Sequence, residues 1–340
     1  MEIPKYQTAA CIDHPRPGAQ LEIRHDVPVP EPGSGEVLIK MEWTGFCHSD
    51  LHNLTGELPM TTNVLGHEGI GRVVKVGPDT APEMMGKQVG VAVQYLQEVP
   101  DMSGTNVPGT FQQYVVSPAD FVSIIREDLK PEAAAPLLCA GLTMYSALNK
   151  LEKLCKAGDW VVIMGAGGGL GHLYVYPGLQ GVQIGKELGY RIIAVDSESK
   201  RDICMRSGAT AFFDFKDNAE SRITSLTENI GAHAIIVVVG LEKAYEQSVQ
   251  FLRPAGTLVC VGLPRPDYHI PLSPLDCVNR GYHIVGSAVG TEDEMQALLK
   301  MAAEGKVSTE YEIFEFRQIN EVAAKLQRFE VEGRAVLQIP

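Results

Sequence analysis

The chain has 340 residues, of which 29 are basic and 42 acidic, so its formal charge is −13; 45% of the residues are hydrophobic. This is the size and composition of a two-domain globular protein, and the negative charge argues against nucleic acid and acidic membrane surfaces as partners. No apolar run reaches the ~18 residues of a membrane-spanning helix, the N-terminus lacks an apolar signal segment, and no CxxC pair occurs, which together predict a soluble cytoplasmic protein with reduced thiols.

The predicted elements change in character along the chain. Short β-type runs at 36–45 and 69–77, separated by Gly- and Pro-rich turns, predict a loop-rich β domain in the N-terminal part. Apolar residues at helical spacing over 131–151 then predict a single connecting helix. After Gly158, runs of β-branched residues alternate with helical segments, which predicts six strands of a parallel sheet. The tail from Glu292 predicts one more helix and a final strand.

A glycine-rich loop directly follows the first strand of this second part. Glycines without a Cβ let the backbone approach a pyrophosphate, which the N–H groups of the following helix would bind. The next strand ends in Asp196, which would accept hydrogen bonds from the adenine ribose and repel a 2′-phosphate. NAD(H) is therefore favoured over NADP(H), although Arg201 nearby is a cation that weakens the argument. The loop residues assigned to the cofactor are Gly165, Gly167, Gly168, Gly169, Leu170 and Gly171.

The spacing within this motif is unusual. Gly165 and Asp196 lie 31 positions apart, whereas about 20 are expected. Seven residues, 174–180 (YVYPGLQ), interrupt the helix that should follow the loop, and Pro177 would cost roughly 3 kcal/mol in a helix interior. Our hypothesis is that the seven residues form a loop or bulge near the helix start. The alternative is an error in the gene model that damages the site.

Potential metal ligands cluster in the first part of the chain. Cys47 lies in the segment GFCHSDLH and His67 in GHEG, and Cys139 on the Ala-rich helix is a natural third ligand. Three Cys and His ligands leave the open coordination position that a catalytic zinc needs. A single buried cysteine is more often a core residue, and the remaining cysteines are predicted to be core thiols: Cys11, Cys155, Cys204, Cys260 and Cys277.

Several segments, in order along nearly the whole chain, resemble the zinc-dependent medium-chain alcohol dehydrogenases, particularly the microbial and fungal branch: GFCHSDLH, LGHEGIGRVV, GTFQQYVV, LLCAGLTMYSAL, GAGGGLGHL, VGSAVG and GRAVL. The resemblance implies an α/β protein with a loop-rich, GroES-like β catalytic domain and a Rossmann domain with a doubly wound parallel sheet. We expect the catalytic domain at 1–150 and 289–340 and the NAD-binding domain at 151–288. The resemblance also implies a homo-oligomer, a dimer or a tetramer.

The resemblance further implies roles for residues around the metal. Cys47, His67 and Cys139 match the catalytic zinc ligands, and Glu68 matches an acid beside the metal. Asp50 should accept a hydrogen bond from the second ring nitrogen of His67 and so fix its tautomer.

Other matching positions concern the substrate and the cofactor. Ser49 matches the hydroxyl that holds the substrate oxygen, and His52 matches the outer end of a proton relay. His48 and Arg334 match cationic contacts to the pyrophosphate, and Lys200 is assigned to the same cofactor site. The implied reaction is hydride transfer between NAD(H) and an alcohol, aldehyde or ketone.

The sequence also departs from the family pattern. No cysteine occurs between Cys47 and Cys139, where the family commonly has four that bind a structural zinc, so we expect one catalytic zinc per chain and no structural zinc. Leu54 and Leu58 stand where ethanol-preferring relatives have tryptophans, which predicts a medium or bulky substrate. Two alternatives are a zinc-free quinone or enoyl reductase of the same superfamily and a non-catalytic member with impaired cofactor binding.

Overall fold

The structure is a computed structural model that describes residues 2–92, 103–167, 177–217, 219–265, 267–328, 330–331 and 333–340. The chain divides into two compact units. Unit 1 comprises Met1–Cys139, Thr291–Gly305 and Thr309–Pro340, and unit 2 comprises Ala140–Gly290 and Lys306–Ser308. The catalytic and NAD-binding roles expected for the two parts of the chain stay predictions.

The first part of unit 1 is built mainly from strands. Its elements are β1 (Tyr6–Cys11), β2 (Glu22–Pro28), β3 (Glu36–Phe46), α1 (His48–Thr55), β4 (Gly69–Val76), β5 (Gln88–Val91), β6 (Tyr114–Pro118), β7 (Ser123–Ile124) and α2 (Pro131–Ala134). Short 3-10 helices occur at Pro82–Met84, Ala119–Phe121 and Ala135–Leu138.

Unit 2 alternates strands with helices. Its elements are α3 (Ala140–Asn149), β8 (Trp160–Met164), α4 (Pro177–Glu187), β9 (Arg191–Asp196), α5 (Arg201–Arg206), β10 (Ala211–Asp214), α6 (Ala219–Leu226), β11 (Ala232–Val237), α7 (Glu242–Gln250), β12 (Leu252–Cys260), α8 (Pro274–Arg280) and β13 (His283–Gly286), with a 3-10 helix at Glu198–Lys200. The chain then returns to unit 1 through α9 (Glu292–Ala303), β14 (Tyr311–Glu315), a 3-10 helix at Phe316–Gln318, α10 (Ile319–Gln327) and β15 (Arg334–Gln338).

The six strands of unit 2 form one parallel sheet in the order β10-β9-β8-β11-β12-β13. This confirms the parallel sheet predicted from the sequence, and the order is that of a doubly wound dinucleotide-binding fold. Every residue of β8 is buried, because helices cover both faces of such a sheet. In this fold, ligands bind beyond the carboxyl ends of the strands, near the point where the strand order reverses.

The long strand β3 organises unit 1. It pairs antiparallel with β4, β6 and β15 in a seven-stranded sheet. The pairing with β15 sets Ala335 opposite Phe46, and therefore brings Arg334 close to the end of β3, directly before Cys47. A hydrophobic core that includes Phe46, Phe111 and Leu337 packs beneath these strands.

The predicted connecting helix over 131–151 is wrong as a single element. Helix α2 ends at Ala134, a 3-10 helix follows, and α3 begins only at Ala140. Pro136 has no backbone N–H and its ring opposes a continuous helix. Cys139 lies at the break, with φ −118° and ψ −73°.

Two further expectations concern cysteines and membranes. Only two of the predicted core thiols, Cys11 and Cys204, are fully buried, whereas Cys155, Cys260 and Cys277 are half-buried. Among the residues that the structure describes, no helix combines the length and apolar character needed to cross a bilayer.

Candidate metal centre and cofactor site

Four predicted residues of unit 1 come together in a possible metal site. One ligand atom from each of Cys47, His67, Glu68 and Cys139 lies within 4.8 Å of all the others. It is the only such group of three or more His, Cys, Asp or Glu residues within the described ranges. Two sulfur donors and one imidazole are a typical zinc donor set, and they leave a fourth position for a carboxylate, water or substrate.

Different elements deliver these ligands. Cys47 stands between the end of β3 and the start of α1, and its backbone N–H donates to Asp50 Oδ2 at 2.9 Å. His67 and Glu68 directly precede β4, and Cys139 lies at the helix break described above. The ligands therefore converge because a strand end, a turn and a break in a helix meet beside the same sheet.

Asp50 fixes the orientation of His67. Its carboxylate is completely buried, and Oδ1 accepts from the Gly66 N–H at 3.1 Å and lies 2.9 Å from His67 Nδ1. A carboxylate only accepts, so Nδ1 carries the proton and Nε2 is left as the donor atom for a metal. The Ser49 hydroxyl lies 3.2 Å from this Nε2. The contact between Asp50 and His67 is the one expected from the sequence, and the role of Ser49 towards substrate stays a prediction.

The two thiols are hydrogen-bonded to each other. This contact holds the pKa of the Cys47 thiol well below its usual range, whereas the same contact and burial hold the pKa of Cys139 well above it. A divalent cation would stabilise both as thiolates, so the donor set fits Zn²⁺.

Glu68 is held against the cluster by an ion pair. Its Oε1 accepts from Arg334 Nη2, and both side chains are buried. Burial raises the pKa of Glu68 to about 7, and the Arg334 guanidinium opposes this rise. The backbone has room for the carboxylate only because residue 45 is glycine: an ideal Cβ on Gly45 would lie 1.9 Å from Glu68 Oε2.

Two further histidines lie on α1. Burial lowers the pKa of His48 to about 4, so its ring is neutral near pH 7, and the cationic role expected for it depends on the charge of the pyrophosphate. His52 is also buried, and its Nδ1 lies 2.5 Å from Glu57 Oε2. The sequence reasoning missed Glu57; the signal was the helix-ending Gly56 directly before an acidic residue.

In unit 2, Asp196 ties together the turn after β8. Its Oδ2 accepts from the Gly167 N–H at 2.8 Å and its Oδ1 from the Ser197 N–H at 2.7 Å. Gly165 has φ +87°, and an ideal Cβ there would lie 2.2 Å from Val239 Cγ1. Both the left-handed backbone conformation and the lack of room for a side chain therefore require glycine at this position. The structure thus brings the two ends of the predicted cofactor motif together.

The cations near Asp196 differ in their contacts. Lys200 packs against the loop, with its Cβ 2.4 Å from an ideal Cβ at Gly167. Arg201 forms a two-point contact with Glu198, at 2.5 and 2.8 Å, and its guanidinium stacks over Phe212. Because Glu198 already neutralises Arg201, this cation offers little support for a 2′-phosphate, and the argument for NAD(H) is strengthened.

The hypothesis that residues 174–180 form a loop or bulge is wrong for Pro177 to Gln180, which are the first turn of α4. Proline is well tolerated at the first helical position, where its missing N–H has no intrahelical partner. Residues 174–176 lie outside the described residues. So do four of the predicted loop residues: Gly168, Gly169, Leu170 and Gly171.

Gly178 in this first turn packs against the end of β8. An ideal Cβ at Gly178 would lie 2.5 Å from the carbonyl oxygens of both Gly165 and Ala166. The glycine that lets the helix approach the strand closely in a dinucleotide-binding motif is therefore Gly178 in this structure. The Pro-Gly pair at 177–178 was the signal for a helix start that the sequence reasoning read as an interruption.

The structure separates the two leucines predicted to line the substrate pocket. Leu54 is buried within the hydrophobic core of unit 1, whereas Leu58, beyond the end of α1, is half-buried. Leu54 is therefore a residue of the hydrophobic core, and this position does not identify it as a lining residue of the substrate pocket.

Two family models match the chain. Residues 33–127 match the family described as alcohol dehydrogenase GroES-like domain, and residues 178–304 match the family described as zinc-binding dehydrogenase. The second match begins at Gly178.

The chain is similar over its whole length to curated and solved relatives. Alcohol dehydrogenase 2 of Emericella nidulans is 37% identical, over 99% of each chain. The alcohol dehydrogenase of the archaeon Aeropyrum pernix is 28% identical with a TM-score of 0.85, covering 98% of this chain and all of that chain. The acetophenone reductase of Geotrichum candidum, solved with NAD, is 25% identical with a TM-score of 0.83, covering 99% and 98% of the two chains.

Proposed function

The chain belongs to the zinc-dependent medium-chain alcohol dehydrogenases, and from that membership we propose that it transfers hydride between NAD(H) and a medium or bulky alcohol, aldehyde or ketone. The observation that carries the proposal is the convergence of Cys47, His67, Cys139 and Glu68 within 4.8 Å of one another. A zinc-free reductase would need no metal ligands, so the presence of this donor set argues against that alternative.

Cys47, His67 and Cys139 would hold one zinc per chain, with Glu68 beside it. When bound, Zn²⁺ supplies Lewis-acid chemistry that lowers the pKa of an alcohol or polarises a carbonyl. Asp50 keeps His67 in the tautomer that a metal needs. The proposal of one zinc rests on the absence of cysteines between Cys47 and Cys139 in the sequence.

The proton would leave through hydroxyl and imidazole groups on α1. Ser49 lies beside His67 Nε2, so its hydroxyl is placed to accept a hydrogen bond from an alcohol and to pass the proton on. His52 lies one turn further along the helix, and an imidazole exchanges protons efficiently near neutral pH. Arg334 does not belong to this proton route, because its guanidinium is paired with Glu68.

The proposed hydride carrier is NAD(H). Gly165, Gly167 and Gly178 would let the cofactor and α4 approach the end of β8, and Asp196 would accept from the ribose hydroxyls. Support comes from the parallel sheet order and from the pairing of Arg201 with Glu198.

The substrate prediction tests the function directly. With zinc-loaded protein and saturating NAD⁺, kcat/KM for benzyl alcohol, 1-phenylethanol or 1-hexanol should exceed that for ethanol by about tenfold or more, since added apolar contact favours larger substrates. The leucine at position 58, where ethanol-preferring relatives have tryptophan, and the similarity to an acetophenone reductase support this choice of probes. A preference for ethanol would contradict the substrate class, and no turnover of any alcohol would contradict the activity.

We also propose that the chain forms a homo-oligomer through the β13 edge of unit 2. β13 is an end strand of the six-stranded sheet, and the preceding helix α8 exposes 66% of Leu275 and 79% of Val278. Exposed apolar residues beside an open sheet edge are typical of an interface.

Val278→Asp should therefore reduce the oligomer to single chains of 36.9 kDa in light scattering, because a charge would be buried in the contact. Met205→Asp is the matched control, since this exposed residue lies on α5 at the β10 end of the sheet. A wild-type protein that already runs as single chains would overturn the proposal.

A further inference from the structure

We propose that Glu57 is a positioning residue for His52, which holds the proton on Nδ1 of the ring and leaves Nε2 as the atom that accepts one. The inference rests on the proposed function, because it assigns His52 to proton transfer. Its basis is the contact between Glu57 Oε2 and His52 Nδ1, at 2.5 Å. The His52 side chain is 8% exposed and that of Glu57 57% exposed, so the pair links a buried ring to the protein surface.

The end of α1 sets this contact. Gly56 adopts the left-handed conformation, with φ 78°, and turns the chain back over the last turn of the helix. The backbone N–H groups of Glu57 and Leu58 both donate to the His52 carbonyl, at 2.9 and 3.2 Å. Glu57 thus caps the His52 carbonyl with its backbone N–H and contacts the His52 ring with its carboxylate.

This geometry has a chemical consequence. An ionised carboxylate only accepts hydrogen bonds, so Nδ1 of His52 carries a proton and the lone pair of the neutral ring is on Nε2. Within the described residues, the His48 ring on the same helix also faces His52, with ring centroids 6.5 Å apart.

Two substitutions test this contact. Glu57→Gln keeps an oxygen that can accept from Nδ1–H, whereas Glu57→Ala removes it. In the zinc-loaded enzyme, Glu57→Gln should retain the limiting kcat of alcohol oxidation, because the ring keeps its hydrogen-bond acceptor. Glu57→Ala should lower the limiting kcat by about tenfold or more. Glu83→Gln, an exposed glutamate of the same unit, is the control and should match the wild type.

A double-mutant cycle distinguishes positioning from general stability. In a His52→Gln background, Glu57→Ala should have no further effect on kcat; an equal loss in both backgrounds would show a structural role and overturn the proposal. A loss in Glu57→Gln as large as that in Glu57→Ala would overturn it as well. The ¹⁵N NMR shifts of the His52 ring give a comparison without turnover: the proton should lie on Nδ1 in the wild type and in Glu57→Gln, and the two tautomers should mix in Glu57→Ala. If wild-type protein oxidises no alcohol, the proposed function fails while these shifts still decide the contact.

Discussion

Replacing Cys47 by serine is expected to abolish zinc binding and to lower alcohol turnover by about 10³-fold. A serine hydroxyl stays neutral where the thiolate supplies a negative charge and a soft donor. The Lewis acid contributes several kcal/mol to the transition state, and about 4 kcal/mol corresponds to 10³-fold in rate. Elemental analysis of purified protein should find one zinc per wild-type chain and almost none in Cys47→Ser, and steady-state kinetics should give the loss of turnover.

Cys155→Ser is the matched control for this substitution. Cys155 is half-buried in unit 2 and does not belong to the metal cluster. This variant should keep both its zinc and its turnover. Full zinc occupancy in Cys47→Ser would refute the ligand assignment, and two zincs per wild-type chain would refute the proposal of a single metal site.

Gly178→Ala is expected to weaken NADH binding by about five- to hundredfold. The new Cβ would lie 2.5 Å from two backbone carbonyl oxygens, and backbone at the end of a central strand cannot move aside as the tip of a side chain can. Helix α4 must then shift away from the loop, at a cost of about 1–3 kcal/mol, and each 1.4 kcal/mol is tenfold in affinity. The change in protein fluorescence on titration with NADH measures the effect.

Gly181→Ala provides a control on the same helix. Its new Cβ would meet the mobile end of Met144, at 2.3 Å from Cε, so the neighbour can rotate away. Alanine also favours helix by up to about 1 kcal/mol over glycine. NADH affinity should therefore equal that of the wild type, and the melting temperature should not fall. Wild-type affinity in Gly178→Ala would show that Gly178 does not set the helix position, and failure of the wild type to bind NADH would favour the non-catalytic alternative.

The position of Gly178 also changes which seven residues are the insertion relative to the usual spacing of the dinucleotide-binding motif. Gly178 follows Gly171, the last glycine of the predicted loop, by seven positions. If Gly178 is the glycine of the motif that packs on the strand, the seven surplus residues would be 171–177. The family match that begins at residue 178 supports this alignment. An excision of 174–180, designed from the sequence, would delete Gly178 and most of the first turn of α4.

The sequence by itself was sufficient for features that short segments encode. The apolar runs of β8 to β13 predicted the parallel sheet, because a strand buried on both faces has no polar alternation. The segments around Cys47, His67 and Cys139, together with others along the chain, indicated the family by their resemblance, and the family implied the metal. Asp196 was recognisable because it ends the second strand of the dinucleotide-binding unit.

Tertiary structure decided the features that depend on contacts between residues far apart in the sequence, or on a choice among several residues of the same type. Helical periodicity predicted one helix through Cys139, but packing around Pro136 ends it there and turns the thiol towards the metal cluster. The sequence pattern did not single out Gly178, whose close packing on the end of β8 appears only in the folded chain. Leu54 lies in the core because of residues that are distant in the sequence. A local pattern limits the conformations and contacts that a residue can adopt, whereas its neighbours across the fold determine which of them has the lowest free energy.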